Sequence, residues 1–168
     1  MKSGEGITSL RIKDMENYPV YGGNGLRGYT ESFTHDGEYT LIGRQGALCG
    51  NITRVSGKFY ASEHAVVVTV ERDMDVDWLS QKLETMQLNQ YSEASAQPGL
   101  SVNKIMRLFI AKPLFEEQNG ISNCLISTDN KLQIEQTYLH KLQQIKAGLM
   151  ADLLSGKKEV RVDEEPVS

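Results

Sequence analysis

Two glycine-punctuated stretches and a handful of titratable residues carry the side chains that could do chemistry. YGGNGLRGY, residues 21–29, places Gly23, Gly25 and Gly28 in the G-x-G-x-x-G spacing that can wrap a phosphate. IGRQGALCGN, residues 42–51, sets Arg44 and Gln45 between glycines. A dinucleotide cradle needs a strand before the glycines and a helix after them. Here Tyr29-Thr30-Glu31-Ser32-Phe33-Thr34 is a poor helix start, and the next element, Tyr39–Gly43, reads as a strand. No Gly-Lys-Ser/Thr occurs, which removes a P-loop. The first stretch therefore reads as a β-turn between strands, with Asn24-Gly25 supplying positive φ.

Catalytic patterns are missing. His35, His64 and His140 show no H-E-x-x-H or other ligand spacing, and no G-x-S-x-G elbow is present. Glu63-His64 reads as a structural pair. Cys49 and Cys124 are far apart and form no C-x-x-C, so a zinc site or disulfide framework is not expected and two free thiols are. Arg44 and Gln45 are different in kind, because Arg suits a guanine edge and Gln an adenine edge. The alternative for Arg44 is a side chain that merely solvates a turn. On side-chain chemistry and glycine-punctuated loops, the candidates for DNA contact are Asn24, Arg27, Arg44, Gln45, Gln97, Asn103 and Lys104.

These loops must be held by a framework. The 168 residues suit one domain with an appended helical element and can bury a core without disulfides. Tyr39–Gly43, Asn51–Val55, Lys58–Ala61, His64–Val70 and Met106–Ala111 read as strands, Tyr18–Tyr21 can be another, and Ser56-Gly57 reads as a hairpin turn. The run AVVVTV from Ala65 predicts a buried central strand. Asp75 or Asp77 can cap a helix from about Trp78 to Tyr91. Residues 1–112 thus form a glycine-rich α+β domain.

Residues 113–156 predict one long helix. Pro113, Glu116 and Glu117 suit its first turn, and Gly156 its stop. Ile121, Leu125, Leu132, Leu139, Leu142, Leu149 and Leu153 form an imperfect heptad stripe. Asn119-Gly120 leaves two starts open, at Pro113 or after Gly120, since Gly costs about 1 kcal/mol within a helix. If continuous, the helix is roughly 60 Å long, and its stripe needs a partner surface, most simply another helix. Residues 157–168 predict a disordered acidic tail.

The net charge is −4, but residues 1–112 hold 12 basic and 13 acidic side chains. A near-neutral body binds DNA weakly on its own, because phosphate neutralisation supplies most non-specific affinity. MKSGEGITSLRIKD has no apolar signal core, and no run approaches the ~18 apolar residues of a membrane span. Without a secretory route the Asn51-Ile52-Thr53 sequon carries no meaning, and the expected location is the cytoplasm.

Read in order, Tyr18-Pro19-Val20-Tyr21-Gly22-Gly23-Asn24-Gly25, Ile42-Gly43-Arg44-Gln45-Gly46 and Ser62-Glu63-His64-Ala65 resemble the target-recognition domain of type I restriction-modification specificity subunits. Pro113-Leu114-Phe115-Glu116-Glu117-Gln118 and the segments Lys146–Met150 and Leu153–Lys157 resemble that family's spacer helix. The resemblance covers about residues 3–160. It implies a glycine-rich mixed α/β recognition domain with a twisted sheet, followed by one long coiled-coil-type helix. It also implies a non-catalytic subunit that reads half of a bipartite DNA site and docks methyltransferase subunits, and through them a restriction subunit. S-adenosylmethionine, ATP and magnesium are then expected only in the partners.

Two departures stand out. Usual members have two recognition domains and two spacer helices where this chain has one of each. Many also carry a further strand and helix before the position of Ser3-Gly4. The chain is either a natural half-subunit, able to pair with a second copy through the helix stripe, or a truncated piece. The alternative function is a protein-interaction module that pairs through its helix without reading DNA.

Overall fold

The computed structural model describes residues 1–46, 48–93 and 99–160. Among them the strands are β1 (Lys2–Ser3), β2 (Tyr18–Gly22), β3 (Gly25–Thr30), β4 (His35–Gly43), β5 (Ile52–Ala61) and β6 (Ala65–Val68). The α-helices are α1 (Val76–Thr85), α2 (Val102–Ile105) and α3 (Phe115–Leu154). The strands join in one mixed sheet of order β1-β6-β4-β5-β2-β3. Every pairing is antiparallel except β2 with β5, which is parallel.

Both faces of the sheet centre are covered, which is why β6 is apolar throughout rather than alternating. Ile42, Val66 and Val68 point to one face and join Trp78, Leu79 and Leu83 of α1, with Leu88, Leu100 and Ile105. Leu41 and Val67, one residue out of phase, point to the other and join Val55, Phe59 and Ala61. Aromatic side chains cap this second cluster: His35 stacks on Phe59 at 5.4 Å, and Tyr21 and Tyr39 meet the same ring edge-on. Burial depresses the His35 pKa, against a smaller opposing pull from Glu5.

Several local expectations change. Ser56-Gly57 makes no turn. β5 runs through it as a single strand, because β4 is long enough to pair both halves and sets Gly37 directly opposite Gly57. β6 stops at Val68, short of Val70. Asp75 does cap α1, its carboxylate accepting from the Trp78 amide at 2.7 Å. The helix ends at Thr85 rather than Tyr91: Gln87 takes a left-handed φ of 46° and a 3-10 turn follows at Leu88–Tyr91, which redirects the chain so that Leu88 enters the core. Met106–Ala111 is no strand. Leu108 and Ile110 bury against the core while Met106 and Phe109 stay exposed, so alternation is present without a ladder partner.

α3 is continuous through Asn119-Gly120. Its first turns are held by Gln118, fully buried, and Ser122. The Gln118 amide oxygen accepts from the Asp75 N–H at 2.9 Å, and its nitrogen donates to the Pro113 and Asp73 carbonyls. Ser122 donates to the Asp75 carboxylate at 2.6 Å. Lys112 and Asp73 form an ion pair beside this node. The first compact unit is accordingly Met1–Ser122, and a second begins at Asn123. Gly156 adopts a left-handed φ of 73° just past the helix end, as expected of a helix stop. The expected acidic tail falls largely on residues 161–168, outside the described residues.

Candidate nucleic-acid interface

The glycines of the two opening stretches meet each other. A Cβ on Gly43 would overlap the carbonyl oxygen of Gly23, and one on Gly23 would lie 2.9 Å from the Gln45 carbonyl and 3.3 Å from that of His64. Main-chain bonds tie the same loops: Arg44 N–H to the His64 carbonyl at 2.8 Å, and Leu100 N–H to the Arg44 carbonyl at 2.8 Å. A single bridge also pairs Gln45 with Gly99. Four chain segments, at 22–25, 43–46, 62–64 and 99–100, are thus stacked backbone on backbone. The glycines serve close approach, with one addition: Gly25 supplies the positive φ of the β2–β3 turn. Asn24 does not, because Gln87 is the one described non-glycine residue with positive φ.

β3 carries a bulge. Val20 faces Gly28 and Tyr21 faces Leu26, leaving Arg27 as the extra residue. Bulges re-aim a side chain and sit beside functional sites more often than chance. The Arg27 stem lies over Gly22, where any Cβ would collide with it. Arg27, Gln45 and His64, with Gly23 and Gly46, line a cavity of about 210 Å³. This brings two of the expected DNA contacts, Arg27 and Gln45, to one place.

The other candidates are placed differently. Asn24 sits exposed in the β2–β3 turn. Arg44 is half-buried and its guanidinium donates to the Ser3 hydroxyl at 3.0 Å. Asn103 and Lys104 are exposed on α2, outside the cavity lining, and Lys104 pairs with Glu93 at 3.2 Å. Gln97 lies outside the described residues. His64 lines the cavity without having been singled out for DNA contact. Its pairing with Glu63, at 3.2 Å, and the Ile7 N–H donated to Glu63 at 3.3 Å, match the structural pair read from the sequence. No local spacing shows that this pair abuts Arg27.

Along α3 the seven stripe residues are exposed, from 36% at Ile121 to 55% at Leu139, so none of the described residues covers them fully. Ile145 extends the stripe between Leu142 and Leu149; the three-residue step from Leu142 is the signal that finds it. Cys49 is buried and Cys124 exposed, both free. Among the described residues no group of three or more His, Cys, Asp or Glu could hold a metal, and no helix is long and apolar enough to cross a membrane.

An α+β sheet that fixes its loops by backbone contact, with side chains presented on those loops and the chain continuing into a 40-residue helix, defines a recognition domain with an appended helix. Residues 2–146 match the model of the type I restriction modification DNA specificity domain, and the chain belongs to that family. It is 47% identical over 133 residues to the type I restriction enzyme EcoprrI specificity subunit of Escherichia coli, covering 77% of this chain and 33% of that one. It is 29% identical over 121 residues to a putative type I restriction enzyme specificity subunit, S.HindORF215P, of Haemophilus influenzae, covering 70% and 31%. The chain therefore spans about a third of the length of these curated relatives.

The same fold occurs in the crystal structure of a type I restriction-modification system S subunit from M. genitalium, with TM-score 0.69 and 17% identity over 92% of this chain and 42% of that one. A chain from a structure of type I R-M complex assembly and conformational transition gives 0.66 and 14%, over 89% and 42%.

Proposed function

We propose that this chain is a non-catalytic DNA-reading component of a type I restriction-modification complex in the cytoplasm. It reads one half of a bipartite site and docks methyltransferase subunits, and through them a restriction subunit. The partners supply S-adenosylmethionine, ATP and magnesium. The observation that carries the reading is the convergence of Arg27 and Gln45 in one small cavity on loops locked backbone to backbone. Amide and guanidinium heads presented from loops fixed in this way suit base-edge hydrogen bonding. The near-neutral charge of residues 1–112 fits a subunit that relies on its partners for phosphate contacts.

The uncovered α3 stripe supports a second part of the reading, in which two copies pair helix to helix and the two domains read a split, palindromic site. The same near-neutral charge also favours the alternative, an interaction module that pairs through α3 and reads no DNA.

One experiment separates them. The chain is co-expressed with a type I methyltransferase subunit, and the complex is offered a randomised duplex library. Enrichment of one split sequence, lost when this chain is left out, supports DNA reading. A stable complex that enriches nothing supports the alternative.

A further inference from the structure

We propose that Arg27 is the specificity-determining residue of the loop cluster and that it reads a guanine through the paired acceptors of that base's major-groove edge. This rests on the DNA-reading function proposed above and goes further, assigning one side chain to one base type.

Three basic residues were candidates, and their surroundings separate them. Arg44 is partly engaged: one guanidinium nitrogen donates to the Ser3 hydroxyl, and its main-chain amide and carbonyl are bonded to His64 and Leu100. Lys104 is neutralised by Glu93. Arg27 has no hydrogen bond or ion pair with any described residue, although it is held in place. The bulge places it out of register, Gly22 provides a flat bed for its stem, and the residue lines the cavity. A cation with a fixed stem and an unpaired head has lost part of its rotamer freedom already, which lowers the entropy lost on binding.

The planar fork matches two kinds of acceptor pair, a phosphate or the O6 and N7 of guanine. The neighbour decides between them. Gln45 shares the cavity, is exposed, and makes no side-chain hydrogen bond among the described residues. A carboxamide offers one donor and one acceptor side by side, the pattern of a base edge and not of a phosphate. A guanidinium-bearing and a carboxamide-bearing residue lining one cavity therefore point to base edges.

The test is site selection by the complex assembled with its methyltransferase, using a randomised duplex and comparing wild type with Arg27→Ala, Arg27→Lys and Arg44→Ala. The expected result is that both Arg27 variants keep the selected sequence except at one position, where a guanine preference of roughly five- to a hundredfold disappears. Arg27→Lys keeps the charge and the stem but loses the fork, so it guards against a folding defect in the alanine variant. Three results overturn the proposal. In the first, Arg27→Ala weakens all sequences evenly and the salt slope falls by about 1, which marks a phosphate contact. In the second, Arg44→Ala relaxes a position while the Arg27 variants do not. In the third, wild type selects nothing, which also removes the DNA-reading function, whereas the first two leave it standing.

Discussion

A Cβ on Gly43 has nowhere to go, since the Gly23 carbonyl already occupies its position. Gly43→Ala is expected to lower stability by about 1–3 kcal/mol, the usual penalty of overpacking, and urea denaturation measures it. The glycines were plain in the sequence, but their purpose was not. Gly23 and Gly43 are distant in the chain, and no local spacing encodes a contact that only the sheet order creates. For the same reason the sequence ranks Arg44 beside Arg27, although one donates to Ser3 and the other has no partner among the described residues. His35 gives a second residue-level test. Burial against Phe59 holds its pKa below 6.5, so the fold favours the neutral ring. The native state then binds fewer protons than the unfolded chain. That contribution is complete above about pH 6.5 and is lost as pH falls toward the depressed folded value. Thermal melting from about pH 7 to about pH 5 should fall more steeply for wild type than for His35→Phe.

At the scale of elements, α3 shows what periodicity can and cannot report. Its end near Leu154, the glycine stop at Gly156 and the Asp75 cap of α1 follow from local rules that the structure obeys. Its start does not. Gly120 weakens the local signal, and the helix persists there because Gln118 and Ser122 are bonded to the Asp73–Asp75 segment. Gln118→Leu leaves the Asp75 N–H and two carbonyls without that partner. It should cost roughly 1–3 kcal/mol and speed amide exchange in the first turns of α3. Gly120→Ala should do the reverse, stabilising by about 1 kcal/mol, because open space surrounds its added Cβ. The misread strands have a related cause. A Ser-Gly pair signals a turn, yet β5 continues through it because a long partner strand is present. Met106–Ala111 alternates like a strand, yet no neighbour offers it a ladder.

At the scale of the molecule, the exposed stripe of α3 is the feature a single copy leaves unsatisfied. Under the proposed pairing, sedimentation at tens of micromolar should give twice the chain mass. Leu142→Glu with Leu149→Glu should weaken the dimer by at least about tenfold, equivalent to ~1.4 kcal/mol. A strict monomer in wild type would remove the pairing and leave the loop cluster untouched. That cluster has a consequence of another kind. Its loops are locked to one another by main-chain atoms and glycines, while the heads of Asn24, Arg27 and Gln45 take no part in the locking. Under the proposed reading, frame and lettering are thus separate: the exposed side chains can be exchanged without repacking the interior, so a few surface substitutions should give one scaffold a new target.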